Sequence, residues 1–142
     1  MLTPTSAPSF ASVEPHPRRV LIVEDHPDAR ESLRLLLEVW GHQVEVAADG
    51  LRGIQVALAW KPEVAIVDIG LPLLDGYEVA RQLRAALDAP IRLIALTAYR
   101  SPEDIRRAHE AGFDIHLAKP ADPGEIRHLL ADNLRDRTQP QV

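Results

Sequence analysis

Cysteine does not occur in this 142-residue chain, which excludes disulfides, thiolate metal centres and thiol catalysis. Aromatic residues amount to 4%, so a hydrophobic core has to be built from leucine, valine, isoleucine and alanine. No apolar stretch approaches the ~20 residues that cross a bilayer. The start of the chain also lacks the charged-then-apolar plan of a secretory leader. Positive charge is in deficit, 16 Lys and Arg against 21 Asp and Glu for a net −5, which argues against a general nucleic-acid binder. His16, His26, His42, His109 and His128 fall at no metal-ligand spacing, so no zinc site is expected. These exclusions leave a cytoplasmic protein with room for one folded domain.

What is present is ordinary for a globular chain, 46% hydrophobic and 26% charged, and a domain of this size buries roughly two-thirds of its unfolded surface. Residues 1–18 stand apart: Pro4, Pro8, Pro15 and Pro17 with several Ser and Thr, and no apolar period, read as a flexible leader or linker. Residues 136–142 read as a loose tail. The folded part is expected over 19–135.

Within it the apolar period alternates. A β-type run at 19–24 precedes helix-spaced Leu33, Leu36, Leu37 and Trp40, with Pro27 in the first turn and Gly41 at the stop. Val44, Val46 and Ala47 suggest a second strand, and 49–60 a second helix with Leu51, Ile54 and Leu58 on its inner face. A third strand covers Val64 to Asp68. The third helix starts near Asp75, with Glu78 closing a reciprocal cap, and buries Val79, Ala80, Leu83 and Leu87. Ile91 to Leu96 form a fourth strand ending at Thr97. Ser101 and Pro102 open a fourth helix, in which only Ile105 and Ala108 look inward. A fifth strand spans Asp114 to Ala118, and a fifth helix from Asp122 buries Ile126, Leu129, Leu130 and Leu134. Arg106, Arg107 and the arginines of the last helix read as solvated faces.

Strands alternating with helices predict an α/β fold: a doubly wound five-stranded parallel sheet in the flavodoxin-like order 2-1-3-4-5 with five helices. Near-continuous apolar strands agree, since a central parallel strand is buried on both sides. In that order the first and third strands are neighbours, and ligands bind beyond their C-terminal ends. Glu24, Asp25 and Asp68 all end such strands, and Lys119 ends the fifth. Three clustered carboxylates repel one another unless a cation intervenes. A hard divalent ion held by oxygen, Mg²⁺ (or Mn²⁺), suits Asp25 and Asp68 with waters and phosphate oxygens. A lysine at about 4 Å from a phosphoryl oxygen gains about 4 kcal/mol at an effective dielectric near 20. A hydroxyl from Thr97 can reach another oxygen. The set supports attack by Asp68 on a phosphoryl donor.

The stretches Val-Leu-Ile-Val-Glu-Asp-His-Pro, Asp68-Ile-Gly-Leu-Pro-Leu-Leu-Asp-Gly, Leu-Thr97-Ala and Leu-Ala-Lys119-Pro120 resemble the receiver domain of two-component response regulators, over about 19–135. The resemblance implies Asp68 as phosphoacceptor, with Glu24 and Asp25 as the acidic pair. Asp25 and the Gly70 carbonyl would be direct metal ligands, and Glu24 one through water. It further implies Thr97 as the switch hydroxyl, Lys119 as the phosphoryl-contacting base and a cis Lys119-Pro120 bond. Such a domain is a signalling switch that assists its own phosphorylation and dephosphorylation, not a substrate-turning enzyme. A histidine kinase or histidine phosphotransfer protein would be the donor. The face of the fourth helix, fifth strand and fifth helix would meet a second copy or a downstream protein; no nucleic acid or membrane is implied. One position departs: His116 stands where receivers carry a switch Tyr or Phe. Tyr99 belongs to another position, which in the family tunes loss of the phosphoryl group.

Two readings stand beside the stand-alone receiver: a receiver-shaped interaction module that does not use phosphate, and the receiver part of a hybrid histidine kinase. A flavin-phosphate binder is rejected, because Glu24-Asp25-His26-Pro27-Asp28 offers acids where a phosphate loop needs glycine and hydroxyls.

Overall fold

In the computed structural model, which describes residues 17–98 and 101–131, the elements run β1 (Arg19–Val23), α1 (Pro27–Val39), β2 (Gln43–Ala47), α2 (Gly50–Trp60), β3 (Val64–Asp68), α3 (Gly76–Ala86), β4 (Arg92–Thr97), α4 (Pro102–Ala111), β5 (Ile115–Ala118) and α5 (Pro123–Ala131). All strand pairs are parallel, in the order β2-β1-β3-β4-β5. That is the order the alternation predicts. The early leader residues, Tyr99, Leu134 and the tail lie outside the described residues.

Every residue of β3 and β4 is buried, as central strands covered on both faces must be. One core face holds Leu21, Val23, Ala65 and Val67 against α2, α3 and α4. The other holds Val20, Ile22, Ile66 and Ile94 against Leu37 of α1 and Ile126 and Leu130 of α5.

Several expectations change. Of the three residues expected on one face of α2, Ile54 is buried but Leu51 and Leu58 are exposed; Gly53 and Ala57 face the core beside Ile54. A Cβ on Gly53 would lie 2.7 Å from Val23 Cγ2, so the helix packs through its glycine, a residue without a hydropathy signal. Asp75 caps α3 by accepting from the Glu78 amide at 3.0 Å. The reciprocal bond does not form, because the Glu78 carboxylate accepts from Arg81 and Gln82 instead. In α4 the buried residues are Ala108 and Ala111, with Ile105 only half-buried. Arg107 and Arg127 are more than solvated charges: they stand over the rings of Tyr77 and Trp40 at 4.3 and 5.2 Å. Arg18, grouped with the leader by composition, is buried, and its Nε donates to the Leu130 carbonyl at 2.7 Å.

Candidate functional site

The sheet order brings the C-terminal ends of β1, β3 and β4 side by side, and the chemistry-bearing residues follow from it. Val23 pairs with Val67, so Glu24 and Asp68 leave adjacent strands at the same level. Asp68 pairs with Leu96, which sets Thr97 one residue further out, and Thr97 pairs with Ala118, next to Lys119. The Lys119 amide donates to the Thr97 carbonyl at 2.9 Å, and the Lys119-Pro120 bond is cis.

Asp68 is buried. Its Oδ2 accepts from Lys119 Nζ at 2.9 Å and its Oδ1 from the Gly70 amide at 3.0 Å. Lys119 Nζ also lies 3.6 Å from Glu24 Oε1. Burial by itself would push the Lys119 ammonium down. The hydrogen bond and charge of Asp68, with Glu24 behind, outweigh it and hold the group above its ordinary value. Burial raises the Glu24 carboxyl and the charge of Asp68 adds to this, against the lowering influence of the His26 amide and Lys119. The cluster therefore holds more negative charge than one lysine balances: three carboxylates against one ammonium leave −2.

His26 is the residue that sequence reasoning missed. It is the N-cap of α1, yet its side chain makes no capping bond. Its Nδ1 instead lies 3.4 Å from Glu24 Oε2 and 3.7 Å from Asp25 Oδ1. Glu24, Asp25 and His26 each offer one ligand atom, and these atoms all lie within 4.8 Å of one another. No spacing rule signals this, because the three are consecutive in a turn rather than periodic on a helix.

The remaining predicted residue stands apart. His116 is half-buried on β5 and pairs with Ala95. It lines a groove of about 520 Å³ with Ile105, His109 and Phe113, not the acidic cluster. A second cleft of about 520 Å³, mostly apolar, opens between α1 and α5 directly beside Glu24 and Lys119. No described helix is long and apolar enough to cross a membrane.

Comparison with known proteins points the same way as the geometry. Residues 20–131 match the family model described as the response regulator receiver domain. The response regulator MprA of Mycobacterium avium is 37% identical over 123 residues, which cover 87% of this chain and 53% of that protein. The chain thus spans about half the length of the curated relatives it matches. Among solved structures, a CheY-like receiver domain protein from Methanospirillum hungatei superposes with a TM-score of 0.78 at 28% identity, over 86% of this chain and 97% of that one. The receiver domain of the sensor histidine kinase PA1611 from Pseudomonas aeruginosa gives 0.74 at 31% identity, over 81% and 95%. That structure is described as having a magnesium ion coordinated in its active site cleft.

Proposed function

The chain belongs to the response regulator receiver domain family, a family of signalling switches, and from that premise we propose that Asp68 is its phosphoacceptor. The observation that carries the proposal is the buried Asp68 carboxylate held by Lys119 Nζ at 2.9 Å and the Gly70 amide at 3.0 Å, with Glu24 at the next strand end. In the reaction an Asp68 oxygen bonds to phosphorus as the bond from phosphorus to the donor's imidazole nitrogen breaks. The departing nitrogen keeps the electron pair. Lys119, released from the carboxylate, meets the anionic phosphoryl oxygens, and the Thr97 hydroxyl donates to another.

The donor set fits a divalent cation. The surplus of two negative charges, the buried Glu24 and the hard oxygen donors all suit Mg²⁺ or Mn²⁺. Asp25, Asp68 and the Gly70 carbonyl would hold it directly, and Glu24 through water. When bound it supplies charge neutralisation at the transferring phosphoryl group.

The donor is a histidine kinase or a histidine phosphotransfer protein, and the setting is the cytoplasm. The phosphorylated form then offers the α4–β5–α5 face to a downstream protein or a second copy, with Thr97 and His116 as the switch pair. Transfer of label from a phosphorylated histidine phosphotransfer protein tests this. Label is expected on the wild type and not on Asp68→Asn; label retained on the variant rejects Asp68. Similarity to receivers of kinases as well as of response regulators keeps one second reading, the receiver part of a hybrid kinase.

A further inference from the structure

The turn between β1 and α1 carries three donor side chains in succession. Glu24 is buried, and its two carboxylate oxygens face different ways. Oε1 lies 3.6 Å from Lys119 Nζ; Oε2 accepts from the His26 amide at 3.1 Å and lies 3.4 Å from His26 Nδ1. Asp25 is half-buried, with its Oδ1 3.7 Å from that same nitrogen. The backbone beneath is fixed. Arg30 Nη1 donates to the Glu24 carbonyl at 2.9 Å, the Arg30 amide donates to the His26 carbonyl at 2.9 Å, and Pro27 opens the helix. An N-cap side chain ordinarily accepts from an amide of the first turn. His26 does not; it turns back onto the two acids.

The separations suit a cation. Two ligand atoms held about 2.1 Å from one ion stand about 3.4 Å apart in tetrahedral geometry and about 3.0 Å apart at octahedral right angles. The edges of 3.4 and 3.7 Å that meet at His26 Nδ1 lie on the tetrahedral side. All three ligand atoms are within 4.8 Å of one another, and the half-buried Asp25 side chain has room to close the third edge. The imidazole then decides which ion is favoured. Mg²⁺ takes oxygen ligands at near-ideal octahedral geometry, whereas Zn²⁺ accepts imidazole in tetrahedral sets. The spacing that argues against zinc elsewhere in the chain concerns ligands repeated along helices and between motifs. Three consecutive residues in a turn escape it.

We propose that Glu24 Oε2, Asp25 Oδ1 and His26 Nδ1 form a site for an imidazole-accepting divalent cation, Zn²⁺ foremost, with the fourth position open to water. Asp25 is shared with the Mg²⁺ site proposed above, so the two ions exclude one another. The three-donor set stands on the geometry of the turn; only the exclusion rests on the receiver reading.

Calorimetric titration of the full chain with Zn²⁺ and, separately, with Mg²⁺ tests this. Loss of an outer partner of a metal ligand already costs about tenfold in affinity. His26→Gln, which removes a ligand, should weaken Zn²⁺ by at least that factor and leave Mg²⁺ within about twofold. His26 is exposed and makes no capping bond, so the variant should keep the wild-type urea midpoint. His109→Gln, the loss of an exposed imidazole elsewhere, should change neither ion, and Asp25→Asn should weaken both. Ring ¹⁵N spectra should show Zn²⁺ shifting His26 Nδ1 before any other imidazole nitrogen. Excess Mg²⁺ should lower the apparent Zn²⁺ affinity. Unchanged Zn²⁺ affinity in His26→Gln, or an equal loss of Mg²⁺, overturns the site, and Mg²⁺ that binds without competing overturns the shared Asp25. Zn²⁺ lost in His26→Gln, with no Mg²⁺ binding to the wild type, would uphold the His26 set and remove the Mg²⁺ reading.

Discussion

Burial acts on Glu24 and His42 with opposite consequences for charge. Glu24 is held above its ordinary 4.5 by burial and by Asp68. A raised folded-state value adds stability below pH 4.5, and that stability is lost as pH climbs through the folded value. Ionised Glu24 is therefore a cost at neutral pH, tolerated at a site built to take a cation. Glu24→Gln is expected to stabilise the metal-free protein by about 1 kcal/mol at pH 7, with the gain disappearing below pH 4.5; urea unfolding at both pH values checks it. His42 is pushed below its ordinary 6.5 by burial and by Arg18, and its Nδ1 accepts from the Arg18 amide at 3.1 Å. A lowered value gives stability that is present above 6.5 and lost as pH falls through the folded value. Thermal melts between pH 7.5 and 5 should therefore show an acid-side loss that His42→Gln flattens. Lys119, held above its ordinary value, contributes stability below pH 10.5 that is lost only at higher pH. Of the site residues, the acids and the lysine were legible because each ends an apolar run. His26 was not, since nothing in a sequence says which way a helix-capping side chain turns.

At the scale of elements, glycines set the close approaches. A Cβ on Gly76 would lie 2.6 Å from the Asp68 carbonyl oxygen and 2.8 Å from Ile69 Cα. Backbone cannot yield as a flexible side chain does, so α3 begins pressed against the strand that presents Asp68. Gly76→Ala is expected to destabilise by about 1–3 kcal/mol, read as a shifted urea midpoint with unchanged slope. Leu73, in the same loop, is fully exposed at φ 68°, a conformation that costs a residue with a Cβ roughly 1–2 kcal/mol. Leu73→Gly should raise the melting temperature rather than lower it. The strands and helix starts were readable from apolar period and capping residues. On α2 Ile54 was placed correctly, but Leu51 and Leu58 were not, because leucine signals burial and glycine signals nothing. The pairing of Arg107 with Tyr77 joins residues thirty positions apart and is set by tertiary packing alone.

For the whole molecule, the order β2-β1-β3-β4-β5 makes four separate strand ends, those of β1, β3, β4 and β5, into one site. Alternation and right-handed crossovers leave few orders, and five βα units fit this one, which is why the location of the site could be argued before its geometry was known. Partner identity has no such local origin. It depends on surfaces such as the α1–α5 cleft and the α4–β5 groove, whose shape arises from several elements together. If the acidic cluster holds a cation, folding is linked to it: Mg²⁺ at a hundred times its dissociation constant should add about 2.7 kcal/mol, and Asp25→Asn should abolish most of that gain in a thermal melt.

The central claim, that Asp68 takes a phosphoryl group with the help of a divalent cation, is met most directly by intact mass after incubation with acetyl phosphate. One phosphoryl group is expected on the wild type with Mg²⁺, and none without the cation or on Asp68→Asn. An unmodified wild type under every metal condition, or a modified Asp68→Asn, would contradict the account.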